Sequence, residues 1–341
     1  MSVPFLNQLC NIGEVVMTRI YTMTHKKYKE GCYMDIKIPE GFFKGEIREG
    51  FYVESMMKKN WACMIKMLAE VDRICKKHNI QYFADWGTLL GTVRHHGFVP
   101  WDDDVDITMK RPDFNKFCLV APKELPEGWE IVNIHNDVNW RHMLAHVVTG
   151  RSVNYDPEHL KEFYGFPYVP GIDIFPLDYL APTEEEDADV CKLVNIVGVT
   201  AASYDNSENS EDSEEEKMAT IKAIEEMCGV KFDYSKDIVN QLLRLQERLS
   251  MMYSEEEATK IALMPDHAGP RPTDVYPKEY YAGTIEMPFE YITLPVPVGY
   301  ENILAQKYGP NWRTPYLGGG SHDYPYYKKQ QKIVWEALGV L

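Results

Sequence analysis

Apolar residues recur at helical spacing in the segment that follows residue 55. They are Met57, Trp61, Met64, Ile65, Leu68, Val71 and Cys75. Intervals of three or four residues place apolar side chains on one face of a helix. The pattern therefore predicts an amphipathic helix whose apolar face packs on a sheet.

Shorter apolar and alternating runs follow this helix. They lie near residues 82–86, 104–109, 142–149 and 171–175. Runs of this length favour strands, and Pro112 with Asp113 marks the start of another helix, because proline suits the first helical turn. Strands interspersed with helices predict an α/β (α+β) fold, with a mixed central sheet and flanking helices.

Composition and periodicity divide the chain into four segments. They are a weakly periodic N-terminal extension of short strands and loops (1–50), the predicted core (51–182), a helical insertion (183–260) and a C-terminal part that completes the core domain (261–341). The insertion is predicted from the spacing of Ile238, Leu242, Leu245 and Leu249. It also contains the polar, acidic segment 203–216, which predicts a solvated loop.

Charge and hydropathy exclude two classes of protein. The 341 residues are 45% hydrophobic, enough for a large core, and carry a formal net charge of -16. A nucleic-acid binder needs clustered Lys and Arg, which this chain lacks. No apolar run approaches the ~20 residues of a membrane span, and residues 1–10 have no basic stretch before their apolar part. We therefore expect a cytoplasmic protein without a transmembrane segment, with peripheral membrane association as an alternative.

The cysteines predict neither disulfides nor zinc ligands. The seven are Cys10, Cys32, Cys63, Cys75, Cys118, Cys191 and Cys228. Their number is odd, they are widely scattered, and no Cys-x-x-Cys pair occurs among them. Such cysteines are typical of reduced packing residues.

A glycine-rich turn provides the first sign of chemistry. Gly87 and Gly91 follow the apolar run 82–86, where a strand would end, and a helix can start at Thr88. Backbone N–H groups at such a helix start can face an anion. Arg94 adds a fixed positive charge nearby. Together these residues predict a phosphate-binding turn.

Alternating carboxylates follow this turn. Asp104 and Asp106 flank Val105, so the two-residue period of a strand places both carboxylates on one face. Two carboxylates on one face can hold a divalent cation that also binds substrate phosphates. A calcium-hand loop would need glycine where Ile107 stands, and a solvated acidic turn would not be bracketed by Trp101 and an apolar run.

The run GTLLGTVRHHGFVPWDDDVDI resembles the signature of the LicD family of phosphocholine transferases, which also includes fukutin and fukutin-related protein. Three further stretches, 75–82, 171–178 and 294–308, resemble other conserved parts of that family. The resemblance extends over most of the chain and implies a nucleotidyltransferase-like fold. The chain differs at Pro310-Asn311-Trp312, where the family usually has Asp-Tyr, and at His146, where a lysine is common.

The resemblance implies roles for individual residues. Gly87 and Thr88 match the turn that contacts donor phosphate, and we assign Arg94 and Trp101 to the same substrate site. The implied acidic residues are the metal-binding pair Asp104 and Asp106, the third acid Asp173, and the further acidic position Asp102. The implied cofactor is Mg²⁺ or Mn²⁺. Asp173 stands alone in an apolar run, where a buried carboxylate without a partner would be costly.

The expected reaction is metal-dependent transfer of a phospho-alcohol group, with phosphocholine favoured, from a CDP-linked donor to a sugar hydroxyl. The acceptor would be a glycan or lipid-linked sugar, a precursor of teichoic acid, lipopolysaccharide or another cell-surface glycan, and CMP would leave. Asp102 or Asp173 could take the acceptor proton. The alternative bases are His95, His96, His142 and His146, although a single histidine is more often structural.

Alternatives stay open at the level of sequence. A choline group favours an aromatic lining, for which the sequence offers Trp101, Trp140, Tyr155, Tyr164, Phe166, Tyr168, Tyr316, Tyr324, Tyr326 and Tyr327. A polyol phosphate such as ribitol phosphate would need hydroxyl partners instead. A nucleotidyltransferase proper would release pyrophosphate, and a non-catalytic nucleotide or metal sensor would release neither product. The number of metal ions and the oligomeric state are also open.

Overall fold

The computed structural model describes residues 36–205, 213–269, 274–317 and 324–338. The described residues form two compact units. The sheet unit comprises residues 36–132, 144–176 and 279–338, and the helical unit comprises residues 133–143 and 177–278. Most of the predicted N-terminal extension and half of the acidic loop lie outside the described residues. The four predicted segment boundaries stay predictions.

Strands and helices are numbered along the chain. The strands are β1 (Glu46–Arg48), β2 (Phe51–Val53), β3 (Phe83–Ala84), β4 (Asp106–Lys110), β5 (Glu130–Val132), β6 (Ala145–Val148), β7 (Gly171–Tyr179), β8 (Lys260–Ala262), β9 (Tyr276–Pro277), β10 (Thr284–Phe289) and β11 (Ile292–Pro297). The α-helices are α1 (Ser55–His78), α2 (Trp86–His95), α3 (Arg111–Glu124), α4 (Pro157–Glu162), α5 (Glu184–Asp205), α6 (Glu214–Cys228), α7 (Ile238–Ser250), α8 (Met264–His267), α9 (Tyr300–Tyr308) and α10 (Tyr327–Ala337).

The central sheet of the sheet unit has the strand order β3-β4-β7-β6-β5. Strands β3 and β4 pair antiparallel, as do β5 with β6 and β6 with the first part of β7. Two antiparallel hairpins, β1 with β2 and β10 with β11, belong to the same unit. The predicted mixed fold with a central sheet and flanking helices is confirmed.

Helix α1 is the predicted amphipathic helix. Its apolar positions, from Met57 to Cys75, are buried. The helix ends at His78 because Asn79 adopts a left-handed backbone (φ 50°), a conformation that asparagine tolerates. In the interior, the ring of Trp61 stacks on Phe98 with centroids 4.7 Å apart. Burial of this face fixes α1 within the sheet unit.

Strand β4 begins later than the sequence pattern predicts. The pattern places Asp104 inside a strand, but regular pairing starts at Asp106. The N–H group of Asp106 donates to Thr88 Oγ1 (2.9 Å), and its carbonyl accepts from the N–H of Asp85 (3.1 Å). Side-chain burial still alternates, because Val105 and Ile107 are buried while the two aspartates are partly exposed.

The helical unit packs α5, α6, α7 and α8 around one hydrophobic cluster. Its most buried members include Val194, Ile221, Ile224 and Leu242, none of which has exposed surface. Within this unit, the last residues of β7 pair with β8, and β8 pairs with β9. Over the described parts of both units, no helix combines the length and apolar character needed to cross a bilayer.

Candidate active site

Helix α2 begins next to the acidic motif. A single residue, Asp85, separates its first residue, Trp86, from the end of β3. The carboxylate of Asp85 caps the helix by accepting a hydrogen bond from the N–H of Trp86 (2.7 Å). Trp86 has a positive φ of 45°, which is unfavourable for a bulky residue and is often found at functional sites. The helix therefore starts two residues before the predicted Thr88, and Gly87 lies in its first turn.

Gly87 permits a close approach between this helix turn and a carboxylate. A Cβ atom at residue 87 would lie 2.1 Å from Oδ2 of Asp102, so any larger side chain would displace that carboxyl group. Gly91 has a packing role instead, because its Cβ would meet the carbonyl oxygen of Gly97 at 2.4 Å. The two predicted glycines therefore have different roles. Gly87 leaves space for the carboxyl group of Asp102, and Gly91 lets the backbone at Gly97 pack closely against α2.

The backbone of the acidic turn is held by helix α1. Trp61 Nε1 donates to the carbonyl of Asp102 (3.0 Å), and Asn60 Nδ2 donates to the carbonyl of Asp103 (3.0 Å). The carboxylate of Asp103 is fully buried and accepts from the N–H of Tyr326 (2.5 Å). Asp103 therefore anchors the turn to the C-terminal segment, a structural role that the sequence did not reveal.

Carboxylates crowd together at this turn. Oxygen atoms of Asp102, Asp103 and Asp104 lie within 4.8 Å of one another. Burial, followed by the charge of Asp104, raises the pKa of Asp102 well above its usual value. Burial and the charges of Asp104 and Asp173 do the same for the pKa of Asp106. Burial and neighbouring like charges both disfavour the charged form of a carboxyl group, and perturbed pKa values of this kind are common at functional sites.

Asp173 reaches the cluster from β7. Its N–H donates to the carbonyl of Val105 (3.0 Å), the residue between Asp104 and Asp106. Its carboxylate accepts a hydrogen bond from Nδ1 of His146, the residue opposite it on β6. Asp173 thus lies next to the acidic turn and is paired with His146, while the group of carboxylates within 4.8 Å of one another is Asp102, Asp103 and Asp104. A shared ion held by Asp104, Asp106 and Asp173 stays a prediction.

Two residues of the site were missed by sequence reasoning. Asp85 adds to the negative field at Asp106. Lys307 from α9 lies 3.3 Å from Oδ1 of Asp85 and 3.2 Å from the ring centroid of Trp86, and both members of this ion pair are about 95% buried. A buried cation over the strained first residue of α2 thus lies at the predicted phosphate-binding turn. No local pattern marks Lys307, because its partners are more than 200 residues away in sequence.

The predicted substrate residues Thr88 and Arg94 have protein partners in this structure. Thr88 Oγ1 accepts a hydrogen bond from the backbone N–H of Asp106, so its hydroxyl holds the start of β4. Arg94 lies at the other end of α2, where its guanidinium donates to the carbonyl of Trp312 (2.8 Å) and to His95 Nε2 (2.9 Å). Contact of either side chain with donor phosphate stays a prediction. For Arg94, the test is whether Arg94→Lys impairs use of the donor, since lysine cannot reproduce a bidentate phosphate contact.

Trp101 belongs to an aromatic cluster beside the carboxylates. Phe51 packs edge-on against Trp101 (centroids 6.1 Å apart) and against Tyr324 (5.6 Å). Burial, together with the nearby carboxylates of Asp103, Glu54 and Asp102, raises the pKa of Tyr324. Other aromatic residues proposed as a lining, Phe166, Tyr168 and Tyr327, are buried against one another and form core. Phe51, Trp101 and Tyr324 therefore form an aromatic cluster next to the acidic turn.

His95 predicts a pH dependence of folding. Burial, then the charges of Arg94 and Arg48, lower the pKa of its imidazole to about 4. The folded state therefore keeps His95 neutral, whereas the unfolded chain binds a proton below about pH 6.5. Stability should fall as pH drops from about 6.5 to about 4, by roughly 1–2 kcal/mol after discounting for partial exposure. Urea unfolding of His95→Gln should show a shallower decline over this window, and identical slopes for both proteins would contradict the assignment.

Comparison with known proteins gives the class of this site. The family model described as LicD/FKTN/FKRP, nucleotidyltransferase domain, matches residues 79–177, a span that holds β3, α2, the acidic turn and Asp173. The clustered carboxylates and the glycine-containing helix start therefore belong to a nucleotidyltransferase domain. Residues 79–177 therefore form a domain of the LicD type, and the chain as a whole is similar to that family.

Several curated proteins are similar to this chain. The lipopolysaccharide cholinephosphotransferase LicD of Haemophilus influenzae is 24% identical over 243 residues, which cover 71% of this chain and 86% of that protein. An uncharacterized protein of Rickettsia typhi is 33% identical over 81 residues, or 24% of this chain and 26% of the relative. A second uncharacterized protein, from Rickettsia prowazekii, is 40% identical over 68 residues, which cover 20% of this chain and 26% of that protein.

Proposed function

We propose that this protein is a transferase that moves phosphocholine from CDP-choline to a sugar hydroxyl of a glycan such as lipopolysaccharide, with release of CMP. The carboxylate cluster at the start of α2 is the observation that carries the proposal, because it joins a cation site to an anion-binding helix turn. The named activity of the similar Haemophilus influenzae protein supports phosphocholine as the transferred group.

The residues at the acidic turn suit Mg²⁺ or Mn²⁺. The donor set consists of carboxylate oxygens, which hard divalent cations prefer. Burial and then neighbouring carboxylates raise the pKa values of Asp102 and Asp106, and a cation would offset the second of these effects. Asp104, Asp106 and Asp173 would hold the ion. When bound, it would offset charge on the phosphate oxygens of the donor.

The chain's own residues have separate roles in this proposal. The first turn of α2 offers backbone N–H groups to the donor diphosphate, and the buried ammonium of Lys307, from α9, adds positive charge beside that turn. Asp102 accepts the proton of the attacking hydroxyl, for which its raised pKa makes it a better base near neutral pH. His146 holds Asp173 in place. The new bond joins the acceptor oxygen to the distal phosphorus, and the bond from that phosphorus to the bridging oxygen breaks to release CMP.

The aromatic cluster predicts how the donor alcohol is selected. A quaternary ammonium has no N–H donors and is best held over ring faces, so Trp101→Leu or Tyr324→Leu should weaken CDP-choline binding by about 1–2 kcal/mol, roughly 5–30-fold. Isothermal titration with Mg²⁺ present measures the change, and Tyr316→Leu, which alters a tyrosine that is 80% exposed, is the matched control. A donor site that prefers CDP-ribitol and is indifferent to both ring removals would contradict the choline assignment.

Product analysis tests the proposal as a whole. The purified chain would be incubated with Mg²⁺, an oligosaccharide acceptor panel, and CDP-choline, CDP-ribitol or CTP in parallel. Release of CMP from CDP-choline together with a phosphocholine-bearing glycan is the expected result. Pyrophosphate released from CTP would identify a nucleotidyltransferase proper, CMP from CDP-ribitol alone would identify a polyol phosphate transferase, and no turnover with retained nucleotide binding would identify a sensor.

A further inference from the structure

The helical unit contains a second group of metal-ligating side chains, unrelated to the acidic turn. Asp187 and Cys191 lie four residues apart on α5, so they share one face of that helix. His267, on α8, places Nε2 2.7 Å from Oδ2 of Asp187. One ligand atom from each of the three residues lies within 4.8 Å of the others.

Polar atoms of this cluster are buried without being satisfied. Within the described part of the chain, Asp187 Oδ1 and His267 Nδ1 are inaccessible to solvent and have no hydrogen-bond partner. A buried polar atom without a partner costs about 1–3 kcal/mol, so such atoms usually have a ligand or water nearby. Cys191 packs against the hydrophobic cluster of the helical unit.

We propose that Asp187, Cys191 and His267 form a site for Zn²⁺. Thiolate and imidazole donors select zinc over magnesium or calcium, which prefer an all-oxygen set. Three protein donors leave room for a water molecule or the second carboxylate oxygen in a tetrahedral shell. The ion joins helices whose ligands are 80 residues apart in sequence, so it stabilises the folded helical unit by tying α5 to α8.

Cobalt substitution gives a direct test, because a thiolate ligand adds a charge-transfer absorption in the near ultraviolet that carboxylates do not produce. The full-length Asp104→Asn protein would be used, because this substitution weakens metal binding at the acidic turn. It would be stripped of metal with a chelator and then titrated with Co²⁺, followed by Zn²⁺, in the presence of excess Mg²⁺. We expect one equivalent of Co²⁺ to bind and to produce the thiolate band. Zn²⁺ should then displace Co²⁺, and bound Zn²⁺ should raise the melting temperature of the protein.

Matched variants assign the ligands. Cys191→Ala should lose the thiolate band, and both Cys191→Ala and His267→Gln should bind Zn²⁺ at least about tenfold more weakly. Cys228→Ala, which alters a buried cysteine of the same hydrophobic cluster, should keep the thiolate band and the Zn²⁺ affinity of the parent. Circular dichroism confirms that each variant folds. Absence of the band in the parent, or its persistence in Cys191→Ala, would overturn the proposal and leave the cluster as an ion pair between Asp187 and a protonated His267.

Discussion

Replacing Asp106 with asparagine is expected to reduce turnover by at least about a thousandfold while leaving the fold intact. Loss of one carboxylate ligand removes several kcal/mol of charge stabilisation that a bound cation provides, and about 4 kcal/mol corresponds to this factor. The metal-free protein should be as stable as the parent or more so, because asparagine removes one of the charges that repel each other at the acidic turn.

Thermal unfolding separates these two effects. Mg²⁺ should raise the melting temperature of the parent and have little effect on Asp106→Asn, because stabilisation by a ligand depends on its affinity for the folded state. Glu130→Gln is a suitable control, since it removes an exposed carboxylate from β5 of the same sheet. Equal stabilisation of the parent and Asp106→Asn by Mg²⁺ would place the ion elsewhere.

Lys307→Met should have the largest effect on stability. The substitution leaves the carboxylate of Asp85 buried without its cation, and breaking such a pair costs about 3–5 kcal/mol. Turnover should fall as well, since the ammonium over Trp86 is the buried cation at the start of α2. Urea unfolding and CMP release measure the two losses.

A double-mutant cycle identifies the source of the loss. If the ion pair dominates, Asp85→Asn should make Lys307→Met less damaging, with a coupling energy of roughly 1–3 kcal/mol. Lys332→Met is the matched control, because that lysine is 68% exposed and such pairs contribute at most about 1 kcal/mol. Additive losses would show that Lys307 acts through its packing and not through its charge.

The sequence was most informative where the pattern is local. Helix α1 and the approximate positions of β3, β4, β6 and β7 followed from the pattern, because burial of one face is encoded in residues close together along the chain. The other strands of the structure were not predicted individually. The acidic turn was recognisable for the same reason. The start of β4 was misplaced by two residues, since it depends on a hydrogen bond from Asp106 to Thr88 on another element.

The rest of the site depends on contacts between distant residues. The pairing of His146 with Asp173 requires the register of β6 against β7, which no single run of residues specifies. Lys307 stands in a helix that shows no unusual composition. The cysteines were interpreted as packing residues, and the proposed role of Cys191 rests on its position one turn from Asp187 and beside His267, a residue 76 positions further along the chain.

Helix α1 holds the backbone of the acidic turn through Trp61 and Asn60, and these two hydrogen bonds do not use the carboxylates. The loop that presents the charges is therefore rigid before any ion arrives, and binding need not order it. This division separates two kinds of evolutionary change. Substitutions in the buried face of α1 act on the geometry of the loop, whereas substitutions in the aromatic cluster of Phe51, Trp101 and Tyr324 leave its backbone contacts with α1 in place.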